Sequence, residues 1–201
     1  MGAGASLQRF ERRSRQREAS RKAILDAARR VAAREGARNL SLRSVAAEAG
    51  FAPAALYVYF CDKDELMLAL AADDLAALAH AMRDASRRDA TGKGFSAAAA
   101  TAVELLANTE TLAAAWGAVA PEANGSDAGR LFNGRLIAAL TALSAAAGET
   151  ARTRESQGDV VLLAAALAGL ALFVRGGRLE ALGFSEEELL ARLESRIVPA
   201  T

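Results

Sequence analysis

The sequence predicts an all-α protein, and three observations carry that expectation. Alanine dominates a hydrophobic content of 52%, and alanine has the highest helix propensity of all residues. Apolar residues recur three and four positions apart along most of the chain, as on one face of a helix. No convincing stretch alternates β-branched and polar residues as a half-buried strand would. At 201 residues the chain is long enough for one large domain or two small ones with a sizeable core.

The opening residues are small, polar and basic, and 1–15 are expected to form a disordered basic arm. From Gln16 to Glu35, Ile24, Leu25, Ala28, Val31 and Ala32 share one face while arginines take the other, and Gly36 is placed to end that helix. Ser41 is a suitable N-cap for a second, two-turn helix whose Leu42, Val45, Ala46 and Ala49 face inward and which Gly50 stops. Pro53 suits the first position of a short third helix, where its missing N–H costs nothing. "CDKDEL" restarts the pattern, with Asp62 as N-cap and Glu65 completing a capping box; a long helix follows to about Arg87. The glycines of "RRDATGKGFS" mark a loop near residue 90. Later helices are expected over 95–108, 110–119, 127–147, 157–176 and 185–196, separated by "PEANGS", "AAGET" and "GGRLEALGF".

Charge is unevenly divided. The net charge is +1, yet residues 1–60 hold twelve Lys/Arg against five Asp/Glu, and the remainder holds thirteen against nineteen. A basic N-terminal third on an acidic body suggests a nucleic-acid-facing module joined to something else. The single cysteine, Cys61, excludes an internal disulfide and fits a reducing compartment, the cytoplasm. The longest apolar run, Val160 to Val174, is fifteen residues between Asp159 and Arg175. That is short for a membrane span, so a buried helix and no membrane association are expected.

"GFAPAALYVYF", Gly50 to Phe60, concentrates four of the ten aromatic residues and both tyrosines. Two short helices joined by a glycine turn, packed on a longer first helix and preceded by arginines, form a helix-turn-helix pattern. In that motif the second helix enters the DNA major groove. Small residues at Ala52, Ala54 and Ala55 let backbone approach the duplex, and a tyrosine offers a hydroxyl for phosphate and a ring for sugar or thymine methyl. The chain accordingly divides into the arm, a DNA-binding domain over 16–62 and a helical body over 63–201.

At these residues a family resemblance becomes specific. "SLRSVAAEAGFAPAALYVYFCDKDEL", Ser41 to Leu66, resembles the operator-binding signature of TetR-family transcriptional regulators, and the likeness covers about residues 16–70. The resemblance implies an all-helical protein with a three-helix DNA-binding domain, followed by helices that hold a ligand cavity and a dimer interface. Position by position it implies DNA contacts from Ser41, Arg43, Ala52, Pro53, Ala54, Tyr57, Tyr59 and Lys63. Arg43 is the candidate for bidentate guanine contact, and Tyr57, Tyr59 and Lys63 fall at phosphate-contacting positions. The chain departs from the pattern at Ala52, Ala54 and Ala55, where the family often has Ser, Gly and Thr; the polar cap and a hydroxyl are lost. The basic residues 9, 12, 13, 15, 17 and 21 are placed to lie along the DNA backbone or minor groove.

By the same resemblance the last two long helices build a dimer interface, for which Ala164, Ala168, Leu172, Leu189 and Leu193 are the candidates. An effector pocket is expected among helices spanning 75–175, with Phe95, Leu105, Trp116, Phe132, Leu136 and Phe173 as candidate lining. Enzyme chemistry is not expected: one His and one Cys cannot build a His/Cys metal cluster, and no phosphate loop or nucleophile elbow appears. No cofactor is implied. The expected partners are a palindromic DNA operator, a second copy of the chain and a small, mainly apolar or aromatic effector. The expected role is a repressor released by that effector. Two alternatives remain: a DNA-binding regulator without an effector, and a redox sensor using Cys61, whose place before a helix N-terminus favours a thiolate.

Overall fold

Stripes of Ala, Leu and Val at helical spacing give each long helix one apolar face, and the arrangement covers those faces. The computed structural model describes residues 3–90, 94–109, 111–112, 114, 126–148 and 153–197. Among them no strand occurs. The elements are α1 Ala3–Glu35, a 3-10 turn Ala37–Asn39, α2 Leu42–Ala49, α3 Pro53–Leu56, α4 Lys63–Arg88, α5 Gly94–Asn108, α6 Asp127–Ala146, α7 Arg154–Arg175, α8 Arg178–Ala181 and α9 Glu186–Ile197. The all-α expectation holds.

Two cores result. The first gathers Ile24, Ala28 and Val31 of α1, Leu40, Val45 of α2, Leu56, Phe60, and Leu66 and Leu70 from the opening turns of α4. The second gathers Leu75, Leu78 and Met82 further along α4 with Phe95 and Val103 of α5, Leu143 of α6, and Leu163 and Leu167 of α7. Helix α4 therefore serves both, and the cores meet inside it near Ala71. The expected division at residue 62 is displaced because the first two turns of α4 complete the N-terminal core.

A polar junction ties the two parts. The Arg29 guanidinium of α1 reaches Asp26 at 3.2 Å, and Asp73 and Asp74 of α4 at 3.4 Å each. Asp74 also accepts a hydrogen bond from the Thr111 hydroxyl. Burial pushes the Asp74 carboxyl above the ordinary carboxylate range, while Thr111 and Arg29 pull it back. Leu112 enters the second core and Ala114 packs on the first, so this turn touches both.

Three further expectations need correction. Residues 3–15 are not a disordered arm but part of α1, because Ala, Arg, Gln and Glu are good helix formers and Glu11 pairs with Arg15 one turn on. Helix α7 begins three residues early, since Thr153 caps it and forms a capping box with Ser156. "GGRLEALGF" is not only a separator: α8 forms between Gly177 and Gly183, both with positive φ. Of the helix expected at 110–119, Thr111, Leu112 and Ala114 are helical, and its other residues lie outside the described ones.

Candidate nucleic-acid interface

The turn between α2 and α3 is set by backbone chemistry. Gly50 sits at φ 72, and its N–H donates to the Ala47 carbonyl while the Phe51 N–H reaches the Ala46 carbonyl at 2.9 Å. This pair of bonds is the Schellman closure, and the left-handed residue within it favours glycine. At the other end of α2, Ser41 Oγ accepts from the Ser44 N–H at 3.1 Å, and Ser44 Oγ accepts from the Ser41 N–H. Arg30 and Arg34 clamp Glu48 at 2.7 and 3.1 Å, locking α2 to α1. Those hydrogen bonds hold the Glu48 carboxyl below its usual range.

Ala52 is extended and supplies no side-chain cap to α3, as its lack of a polar side chain dictates. Helix α3 is one turn long, continued by hydrogen bonds from Tyr59 and Phe60 N–H groups to the Leu56 carbonyl. Leu56 and Phe60 are rooted in the first core. The opposite side therefore faces outward, and Ala52, Pro53, Ala54 and Tyr57 are exposed.

The two tyrosines separate. Tyr57 is 61% exposed, whereas Tyr59 packs partly against the first core. Arg43 is exposed on α2 with no side-chain partner among the described residues, and Ser41 is exposed with its hydroxyl engaged by Ser44. Lys63 is half-buried, its Nζ donating to the Arg38 carbonyl at 2.6 Å; two ammonium N–H groups remain. Val58, 66% exposed beside Tyr57, was missed by sequence reasoning. A valine reads as core by type, but it stands two residues from both Leu56 and Phe60, whose side chains are buried, and so falls on the opposite side.

The structure counts against Cys61 as a redox sensor. The expected capping box is shifted by one residue: Asp62 accepts from the Glu65 N–H, but Glu65 accepts from Cys61 N–H rather than that of Asp62. Hydrogen bonding to Glu65, burial, and the charges of Glu65 and Asp62 push the thiol up to about 11. A thiol so placed stays protonated, the reverse of what a redox sensor needs. His80 is a surface residue, 3.3 Å from Asp84. No group of three or more His, Cys, Asp and Glu side chains among the described residues is placed to hold a metal.

The second core contains a cavity of about 80 Å³. Its walls are Leu75, Leu78 and Met82 of α4, Ala102 and Leu106 of α5, Leu112, then Leu136, Ala139, Leu140 and Leu143 of α6, and Ala164, Leu167 and Ala168 of α7. Every described wall residue is apolar. Of the six expected lining residues only Leu136 is among them. Phe95, Leu105 and Phe132 pack in or against the same core without reaching the cavity, and Trp116 lies outside the described residues. Phe173 is on the wrong side of α7: the buried stripe is Val160, Leu163, Leu167 and Ala171, and two residues beyond Ala171 is the opposite face.

That opposite face is uncovered and apolar. Val161, Leu162, Leu172 and Phe173 are all exposed, and Val161, Ala165, Ala168 and Leu172 recur with the alternating four-and-three spacing of a helix-pairing seam. Among the interface candidates, Ala168 and Leu172 are exposed; Ala164, Leu189 and Leu193 are half-buried, and Ala164 and Ala168 also border the cavity. By length and composition alone, Arg154–Arg175 is apolar enough to cross a membrane, which the fifteen-residue run inside it is not.

Fold and site together define a class: an all-α protein with an N-terminal helix-turn-helix. Residues 24–70 match the family model described as bacterial regulatory proteins, tetR family. An uncharacterized HTH-type transcriptional regulator of Haemophilus influenzae is 40% identical over 99 residues, 48% of each chain; the chain thus spans about half the length of the curated relative it matches. A putative TetR-family transcriptional regulator from Vibrio parahaemolyticus shares the fold at TM-score 0.61 and 23% identity, covering 90% of this chain and 100% of that one. The multidrug binding protein EbrR, solved with imidazole, is similar at TM-score 0.57 and 26% identity over 90% of this chain and 96% of that one. Residues 24–70 therefore carry the N-terminal domain of the tetR family of bacterial regulatory proteins, in a chain whose curated relative is an HTH-type transcriptional regulator.

Proposed function

We propose that the chain binds a palindromic DNA operator as a homodimer and represses transcription in the cytoplasm until a small, neutral, apolar molecule enters the α4–α7 cavity. The observation that carries the DNA reading is the face shared by α2 and α3. There Arg43, Ala52, Pro53, Ala54 and Tyr57 are exposed while their neighbours Val45, Leu56 and Phe60 are buried. A two-fold dimer would present two such faces to half-sites about one or two helical turns apart. Apolar walls exclude a charged effector, because an ion buried there would find no partner. The cavity's small size, roughly half the ~150 Å³ of a cavity that admits benzene, favours one rival: a DNA-binding regulator with no small-molecule effector. Benzene-sized and larger neutral ligands that leave thermal stability and DNA affinity unchanged would support that rival.

The test is affinity for DNA from the protein's own upstream region, for single-base variants of it and for random DNA, across a salt series. Arg43→Ala should cost ~1–3 kcal/mol on the operator and relax preference at one base pair in each half-site, because only the guanidinium fork engages guanine O6 and N7 together. Lys63→Ala should weaken all sequences about equally and lower the salt slope by about one. If Arg43→Ala lowered every affinity by the same factor, Arg43 would be a backbone contact, and sequence preference would have to come from DNA shape.

A further inference from the structure

The first buried residue of α1 is Ile24, and the side chains from Leu7 to Ala19 are all exposed. More than three turns of helix therefore project beyond the first core. At ~100° per residue, Arg9, Arg13, Arg17 and Arg21 form one ridge, four residues apart, and that ridge continues the stripe on which Ile24, Ala28 and Val31 are buried. Glu11 and Glu18, the only acids of this segment, fall on the opposite side. The near end of the ridge is fixed in space. Arg21 lies over the Phe60 ring at 5.3 Å, and Arg17 Nη2 reaches the Val58 carbonyl at 3.4 Å, both at the C-terminal end of the recognition segment. At ~1.5 Å rise per residue, Arg13 and Arg9 stand ~6 and ~12 Å further out along the helix, continuing the line that begins beside Val58 and Phe60.

We propose that this ridge is a second DNA-contact surface, a rigid helix whose arginines lie on phosphates beside the base pairs under the recognition helix. The proposal rests on the DNA-binding reading above. The partner is a polyanion by charge complementarity, and specifically the same duplex by continuity with the α3 face. Phosphate contacts of this kind add affinity and position without reading sequence.

The experiment compares wild-type protein, Arg9→Ala/Arg13→Ala and a charge-matched control, Arg15→Ala/Lys22→Ala, which removes two positive charges from the opposite face. Each is titrated with mixed-sequence duplex DNA over a salt series, with helix content checked by circular dichroism. The ridge variant should lose about 1.8 from the slope of log affinity against log salt, ~0.9 for each phosphate released, and the control should keep the wild-type slope. A wild-type slope in the ridge variant overturns the proposal, and equal losses in both variants overturn it too, since the effect would then be unspecific charge. Should wild type bind no DNA at any salt, the DNA-binding reading fails with it; binding that Arg43→Ala weakens but the ridge variant does not leaves that reading standing and removes only the ridge.

Discussion

The two cores are built from different materials. Of the twelve largest fully buried side chains among the described residues, ten precede residue 71, among them Phe60, Ile24, Leu25, Leu40 and Leu56; the other two, Leu163 and Leu167, belong to the C-terminal part. The second core relies on Ala98, Ala99, Ala102, Ala139, Ala142 and Ala171, and it retains a cavity. Large branched and aromatic side chains interlock and fix one geometry, whereas alanines leave space that other atoms can fill. A surface that meets DNA benefits from the first kind of packing. A chamber that admits a guest benefits from the second.

The comparison is sharpest at the outer face of α7. Ala168→Arg should yield monomers in sedimentation and weaken operator binding, because a standard interface of ~800 Å² per partner at ~25 cal/mol per Å² contributes many kcal/mol and a buried unpaired guanidinium opposes it. A variant that stays dimeric would put the interface elsewhere. Next in size, Phe60→Ala should cost ~3–5 kcal/mol in chemical denaturation, and a loss below ~2 kcal/mol would show the first core to be as yielding as the second.

A smaller effect with opposite meaning is expected inside the cavity. Ala139→Leu adds atoms where there is room, so it should be neutral or stabilise by ~1 kcal/mol while abolishing any effector response. A penalty of ~1–3 kcal/mol, as in an overpacked core, would mean that the cavity cannot take a guest without moving helices. The smallest effect is chemical. With its thiol pushed up to about 11, Cys61 should alkylate slowly at neutral pH, with a rate still rising past pH 9, the ordinary thiol value. Glu65→Gln should speed labelling at pH 8, and a rate that levels off near pH 9 in the wild type would refute the assigned environment.

The same contrast explains what was legible. The N-terminal domain was readable because its signals are chemical: Gly36 and Gly50 end helices, Ser41 and Asp62 cap them, and Leu56 and Phe60 space the buried face around exposed Tyr57. Helices α5, α6 and α9 were also placed within a residue or two, since loops with glycine or proline separate them. The cavity was not readable. Aromatic type suggested Phe95, Phe132 and Phe173 as lining, yet apart from Leu136 the walls come from leucines, alanines and Met82 that look like any other core positions. Which of two alanine-rich faces of α7 turns inward depends on what α5 and α6 leave open, and that information is tertiary. The extension of α1 over residues 3–15 was missed for a different reason: its described side chains are exposed, so no apolar stripe announced it.

The uncovered seam of α7 has a thermodynamic consequence. If, as proposed, a second copy covers that face, folding becomes a matter of mass action, because any partner that binds the native chain alone shifts its unfolding equilibrium. The midpoint of thermal unfolding should then climb as total protein is raised, about in step with its logarithm. At low total protein the same chain would then be least stable, so its abundance would set its persistence as well as the share that is dimeric.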